Sequence, residues 1–336
     1  MRAVIAPARG RVELADLPLP QIGPYEALVR VEACGICNST DRKVTMDEFR
    51  PGPFPKVLGH ESVGRVVELG SRVRHFASGD RVLRCVLYDQ HVPGGCSRWG
   101  GMSEYAVVVD ARAVAADGAD AFVHRYAPFQ QLVPHGLAPA EAALLIPLKE
   151  ALAFLGSCGA RSGGPLAIVG TGPVAQAFCF FAKGLGAGPV MVFARRAAHA
   201  GRFRALGADL FVVGDDYPTA VRERLAAGGF PLVIEAVGSP EALARCLALV
   251  SATGQVRAYG IPSLSNAWDP AQLADPRVLP VVGVAEHEVH EEMLQMVAAG
   301  RVRPGDWASH VLPVEECARA FALLEEDHAA KVVLTF

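Results

Sequence analysis

The amino-acid sequence predicts an α/β protein built from two domains, one β-rich and one a doubly wound parallel sheet. Three observations carry this. Short apolar stretches between Gly, Pro and Asp clusters fill the first third of the chain, and a long Ala- and Leu-rich stretch at 138–154 breaks that texture. From Pro165 to about residue 283, strand-like and helix-like segments alternate. Such alternation requires crossover connections, and hence parallel strands with helices on both faces. At 336 residues the chain is long enough for two ordinary domains. The expected division is 1–150 for the β-rich domain, completed by 300–336, and 151–299 for the doubly wound one.

In chain order, 27–31, 62–69, 81–87 and 104–109 read as strands, each apolar and bounded by turn residues. The stretch 138–154 reads as a helix leading out of that domain. Next come strand 166–169, helix 173–185, strand 190–194, helix 197–206 and strand 210–213. Helix 218–226, strand 232–235, helix 240–250 and strand 255–259 continue the series. A helix at 291–299, a β stretch at 310–312, a helix at 314–324 and a strand at 331–335 carry the tail back to the first domain.

Composition excludes several classes. Apolar residues make up 51% and charged ones 20%, which is globular rather than disordered. A formal charge of −3 offers no basic face for nucleic acid or an anionic membrane. No apolar run approaches the roughly 20 residues that span a bilayer. The N-terminus enters a strand-like segment without a signal-peptide plan, so a cytoplasmic enzyme is expected. The eight cysteines then are no disulfide framework but mostly small buried hydrophobes. Cys37 is the one in surroundings that suggest chemistry.

Gly170-Thr171-Gly172-Pro173-Val174-Ala175 lies between a predicted strand and a predicted helix. The first two glycines allow a tight turn and close backbone approach to a pyrophosphate, and the helix N-terminus supplies N–H groups and positive potential. Ala175 fills the third position, where a small residue lets helix and strand pack. In that context the motif reads as a dinucleotide site of the Rossmann type. An NAD site usually carries an acidic residue at the end of the second strand, but here stands Ala194-Arg195-Arg196. Two guanidiniums could grip a 2′-phosphate that a carboxylate would repel, so NADP(H) is the expected cofactor. Val237 and Gly260 complete the cofactor-binding set.

The first domain holds Cys34-Gly35-Ile36-Cys37-Asn38-Ser39-Thr40-Asp41, then Gly59-His60-Glu61-Ser62-Val63-Gly64-Arg65-Val66-Val67 and Gly79-Asp80-Arg81-Val82. Gly100-Gly101-Met102-Ser103-Glu104-Tyr105 follows. Together with the Gly170 turn, this order resembles the zinc-dependent alcohol dehydrogenase-like members of the medium-chain dehydrogenase/reductase superfamily. The resemblance covers essentially the whole chain. It implies a GroES-like fold for the β-rich domain and a homodimer or homotetramer. It also implies a catalytic zinc on Cys37 and His60, with Glu61 close enough to approach or coordinate it, and Ser39 opening a proton relay. Zinc accepts thiolate, imidazole and carboxylate ligands and keeps a position open for substrate.

Three departures bear on that site. Relatives often insert a lobe with four closely spaced cysteines that hold a structural zinc, but between Arg84 and Gly101 this chain has only Cys85 and Cys96, so one catalytic zinc and no structural one is expected. The third ligand position falls on Ile146, which cannot bind metal. Glu150, one helical turn on, could replace it, could act as acid or base beside the nicotinamide with Lys149, or could pair with a surface cation. Thr40 precedes Asp41, which could hold His60 or Cys37 in place, and Arg42 stands near the histidine that completes the relay in relatives. Phe49, Phe54, Tyr88 and Trp99 are candidate pocket residues, whereas His287 and His290 receive no role.

The leading expectation is a zinc-assisted, NADP(H)-dependent alcohol dehydrogenase or carbonyl reductase acting on a small secondary alcohol or ketone. A zinc-independent reductase of activated double bonds or quinones is the first alternative. A non-catalytic NADPH-binding sensor is the second.

Overall fold

The computed structural model describes residues 1–120, 123, 126–160, 163–281, 283–325 and 331–336. It divides into two compact units, Met1–Pro147 with His290–Phe336, and Leu148–Val289. The first cut falls inside the helix Pro139–Ser157, next to its internal Pro147. A proline there has no N–H to donate, so the Ala143 carbonyl loses its helical partner. The first unit regains the chain at His290, ahead of the expected 300, because the helix His290–Ala298 packs with it; His290 Nε2 lies 2.8 Å from the Leu132 carbonyl.

The first unit is organised around the strand Glu26–Ile36, which pairs antiparallel with Glu61–Leu69, Tyr105–Val109 and Val332–Thr335. His310–Pro313 and Arg81–Leu83 extend this sheet at its two ends. A smaller sheet joins Glu13–Asp16, Arg2–Ala6, Lys56–Val57 and Cys96–Ser97. The central strand is longer than the expected 27–31 because it is covered on both faces. Nine of its residues are buried, so the alternation that marks a half-buried strand is missing from its sequence. Conversely, the expected strand 81–87 stops at Leu83, because Arg84 takes a positive φ of 58° that the ladder cannot accept. Pairing at the far end sets up the site: Gly35 lies opposite Glu61 on one side and Val333 on the other, and Ile36 opposite Val332.

The helix Ala111–Asp117 is anchored by Asp110, which accepts the N–H groups of Arg74 at 2.7 Å, His75 at 2.8 Å and Ala113 at 3.0 Å. Burial would push the Asp110 carboxyl up, but these donors and the His75 ring overrule it and hold it below the usual carboxylate range. Its stabilisation is therefore complete above the unfolded aspartate value near pH ~4 and is lost as pH falls through the lower folded value. Asp110→Ala should cost about 2–4 kcal/mol at neutral pH, measured by urea unfolding, and the gap to wild type should close in acid.

The second unit is a six-stranded parallel sheet in the order Leu210–Val213, Ala187–Ala194, Gly164–Val169, Phe230–Glu235, Val250–Ala258 and Val278–Pro280. This is the doubly wound order of a Rossmann fold. Phe193, Phe230, Val233, Leu243 and Leu249 form part of its core. The chain starts at a central strand, runs outward to one edge, then returns to the other side. The order thus reverses beside Gly164–Val169, whose carboxyl end carries the glycine turn.

Candidate active site

The strand Glu26–Ile36 delivers Cys37, and the helix Thr40–Thr45 follows at once. Asp41, 1% exposed, turns back: its Oδ2 accepts the Cys37 N–H at 2.8 Å, and its Oδ1 lies 3.3 Å from His60 Nδ1. The Cys37 sulfur accepts the Thr40 N–H at 3.4 Å. One carboxylate thus positions both the backbone of Cys37 and the ring of His60, leaving the other imidazole nitrogen for the site. His60 follows Gly59, whose φ of +98° admits glycine and where a Cβ would run into Met102. Arg84 Nη1 donates to the His60 carbonyl at 3.0 Å, and Ser62 Oγ to the Cys85 carbonyl at 2.6 Å, pinning both sides of Glu61.

Ligand atoms of Cys37, His60 and Glu61 all lie within 4.8 Å of one another, the single such group among the described residues. Glu150 is not one of the three. The helix carries it, half-buried, on the stretch that belongs to the second unit, and Ile146 on the same helix is fully buried. Ser39 Oγ accepts from Lys43 Nζ at 3.0 Å, a basic residue that the motif order did not single out. Of the candidate pocket aromatics, Trp99 lies beside His60, with ring centres 4.7 Å apart and planes tilted by 43°. Phe49 and Phe54 pack on the apolar cluster that includes Val4 and Leu334, and Tyr88 packs in the one that includes Val86 and Val107.

The residue that sequence reasoning missed is Lys331. Its Nζ donates to Glu61 Oε1 at 2.6 Å and lies 2.5 Å from Oε2, with both side chains buried. The partners are 270 positions apart, and no local spacing signals them. Gly35 makes room for the pair, since a Cβ there would collide with the Glu61 carboxylate and touch Lys331 Cε.

Burial would push the Cys37 thiol up, but the hydrogen bond with His60 and the charge of Lys331 hold it below its ordinary value. Burial would push the His60 imidazole down, yet the Asp41 carboxylate and Cys37 raise it well above its ordinary value. Lys331 is likewise raised, by Glu61 and Cys37, against its own burial. The pocket thus eases loss of the Cys37 thiol proton, which binding of a cation by the sulfur would require. A thiolate, an imidazole backed by a carboxylate and a second carboxylate fit zinc by ligand chemistry.

Lys331→Met would leave the Glu61 carboxylate buried without its cation. We expect a loss of about 3–5 kcal/mol in urea unfolding of metal-free protein. Lys331→Met combined with Glu61→Gln should recover much of it; a double variant no more stable than the single one would show that the pair is not coupled.

In the second unit the expected cofactor residues gather at the carboxyl edge of the parallel sheet. Gly170 follows the first strand with φ +129°, and a Cβ would meet Val237 Cγ2 at 3.0 Å and the Ala236 carbonyl oxygen at 3.2 Å. Gly172, at the N-cap of the helix Pro173–Gly184, offers no side-chain cap to the first-turn N–H groups. A Cβ at Gly172 would meet nothing within 4 Å, so the protein's own packing does not demand a glycine, whereas close approach of a ligand would. Thr171, Pro173 and Val174 stay partly exposed around this turn, while Ala175 is fully buried where helix meets sheet. Ala194 closes the second strand, and Arg195 and Arg196 beyond it are exposed. Val237 and Gly260 follow two later strands. Their loops touch so closely that a Cβ on Gly260 would strike the backbone of Gly238. Glu235, fully buried, accepts the N–H groups of Val237 and Gly238 at 2.8 Å each. These features suit a dinucleotide pyrophosphate.

Among the described residues no helix is long and apolar enough to cross a membrane. Residues 23–118 match the alcohol dehydrogenase GroES-like domain, and residues 173–299 match the zinc-binding dehydrogenase family. The chain is 26% identical to L-threonine 3-dehydrogenase of Bacillus velezensis, over 96% of this chain and 94% of that one. It is also 26% identical to sorbitol dehydrogenase of Ovis aries, over 97% and 93%. Among solved structures, alcohol dehydrogenase TADH from Thermus sp. ATN1 superposes with a TM-score of 0.79 at 26% identity, covering 100% of this chain and 99% of that one. With two matched domains in order, a doubly wound sheet and a Cys37–His60–Glu61 cluster, the chain belongs to the medium-chain dehydrogenase/reductase superfamily, as a zinc-dependent alcohol dehydrogenase-like oxidoreductase.

Proposed function

We propose that the protein interconverts a secondary alcohol and its ketone, with zinc at Cys37, His60 and Glu61 and with NADP(H) on the Gly170 turn. The observation that carries this is the close set of thiolate, imidazole and carboxylate ligand atoms, within 4.8 Å and backed by Asp41. Zinc, when bound, acts as a Lewis acid that eases loss of an alcohol proton and polarises a carbonyl. The protein's part is positioning and proton handling. Asp41 holds the His60 ring, and Lys331 holds Glu61 and balances its charge. Ser39 Oγ passes the hydroxyl proton; it accepts from Lys43 Nζ, which keeps its own O–H free to donate and favours negative charge on the oxygen. Gly170, Thr171, Gly172, Pro173 and Val174 receive the pyrophosphate, and Arg195 and Arg196 bind the 2′-phosphate. The relatives named threonine and sorbitol dehydrogenase point to the same class of small hydroxylated substrate.

One observation favours a second reading. Ile146 is apolar and fully buried, and Glu61 is already occupied by Lys331, as suits a metal-free reductase of activated double bonds or quinones. Metal content of the purified protein, with turnover of secondary alcohols, ketones, enones and quinones on either nicotinamide, separates the two. About one zinc per chain with chelator-sensitive alcohol oxidation supports our proposal. Metal-free protein that reduces enones overturns it, and cofactor binding without any turnover would assign a sensor.

A further inference from the structure

Among the described residues four non-glycine residues adopt positive φ: Asp47 at 57°, Arg50 at 50°, Arg84 at 58° and Trp99 at 71°. Such backbone is strained and tends to collect at functional sites. Three of them are tied to His60, Arg84 and Trp99 directly and Arg50 through the Trp99 ring. Trp99 lies beside His60, Arg84 holds its carbonyl, and the Arg50 guanidinium lies 4.6 Å from the centre of the Trp99 ring. Asp47 closes the loop before Arg50 by binding the buried Lys56 and the Gly52 N–H.

The Arg50 side chain is partly buried, and beyond the Trp99 ring it takes part in no ion pair or hydrogen bond among the described residues. Its acidic neighbours in sequence are engaged elsewhere, Asp47 with Lys56 and Glu48 with Arg9. The loop is nevertheless held. Arg98 Nε donates to the Arg50 carbonyl at 3.0 Å, and Arg98 Nη2 to the Pro51 carbonyl at 3.2 Å. The indole N–H of Trp99 is buried and has no acceptor among the described residues. Among the described residues, then, the imidazole of the candidate site is neighboured by an indole whose N–H donor is unmatched and, across that ring, by a held guanidinium without a counter-charge. Both call for an acceptor, and the guanidinium for an anionic one.

We propose that the substrate alcohol carries an anionic group, a carboxylate or a phosphate, that Arg50 binds over the Trp99 platform. Arg50 is then a specificity residue, selecting short hydroxy acids or phosphorylated polyols over neutral alcohols. This rests on the reading that the alcohol oxygen binds at Cys37, His60 and Glu61, with Arg50 one aromatic ring away from His60.

The test is kcat/KM on matched pairs with NADP⁺ or NAD⁺: β-hydroxybutyrate against sec-butanol, and glycerol phosphate against glycerol. We expect an advantage of at least about tenfold for one anionic partner, expressed mainly in KM. Arg50→Gln should collapse the anionic-to-neutral ratio and Arg50→Lys should restore part of it. The pair showing the advantage separates carboxylate from phosphate. Equal values within both pairs, or a preference that survives Arg50→Gln, overturns the inference while leaving alcohol dehydrogenation intact. Absence of turnover of any alcohol or ketone is failure of the functional reading instead. Butyrate and inorganic phosphate titrated against tryptophan fluorescence then decide Arg50 alone. A saturable change that Arg50→Gln abolishes supports the subsite, and no change with either anion in the wild type overturns it.

Discussion

Cys37→Ala should yield a folded protein that binds NADPH but has lost its metal and at least about a thousandfold of its alcohol turnover. The size follows from the several kcal/mol that a Lewis acid contributes to such a reaction, at about 1.4 kcal/mol per tenfold of rate. The thiolate is the softest of the three donors, and its removal leaves one imidazole and a carboxylate that Lys331 already neutralises. The glycine turn is built wholly within the second unit, so cofactor affinity should hold. Metal analysis, circular dichroism and NADPH fluorescence on the same preparation report the three properties separately. Undiminished turnover in this variant would remove zinc from the chemistry and leave the metal-free reductase.

The second large effect concerns cofactor choice. Arg195→Ala with Arg196→Ala should lower kcat/KM for NADP⁺ by about a hundredfold or more and leave that for NAD⁺ little changed. Each charge-assisted contact to a phosphate is worth roughly 1.5–3 kcal/mol, and two are removed. Both arginines are exposed beyond the strand Ala187–Ala194, so their loss should not disturb the core. A wild-type enzyme that uses both nicotinamides equally would already contradict the assignment. Higher salt should weaken NADP⁺ more than NAD⁺, because exposed charges are screened.

Much of the architecture was legible because its signals are local. The Gly170 turn announces itself through the left-handed backbone at Gly170 and the open approach at Gly172, both properties of adjacent residues. The order of the doubly wound sheet follows from alternating strands and helices, since each crossover restricts where the next strand can lie. Boundaries were less legible where burial was two-sided, as along Glu26–Ile36, or where a single backbone angle ends a strand, as at Arg84. The contiguous motifs around Cys37 and His60 named the donors and Asp41 as a support, but not Lys331.

The sequence by itself determined the two-domain α/β plan, the glycine turn, and three donor residues of the right chemical type. Only the tertiary structure decided that those three meet within 4.8 Å, that the buried Lys331 pairs with Glu61, and that Arg50 and Trp99 lie beside His60. The reason is physical. Turn and helix-start chemistry is written in neighbouring residues, whereas a buried charge pair between Glu61 and Lys331 exists only because the strand Val332–Thr335 pairs in one register with Glu26–Ile36.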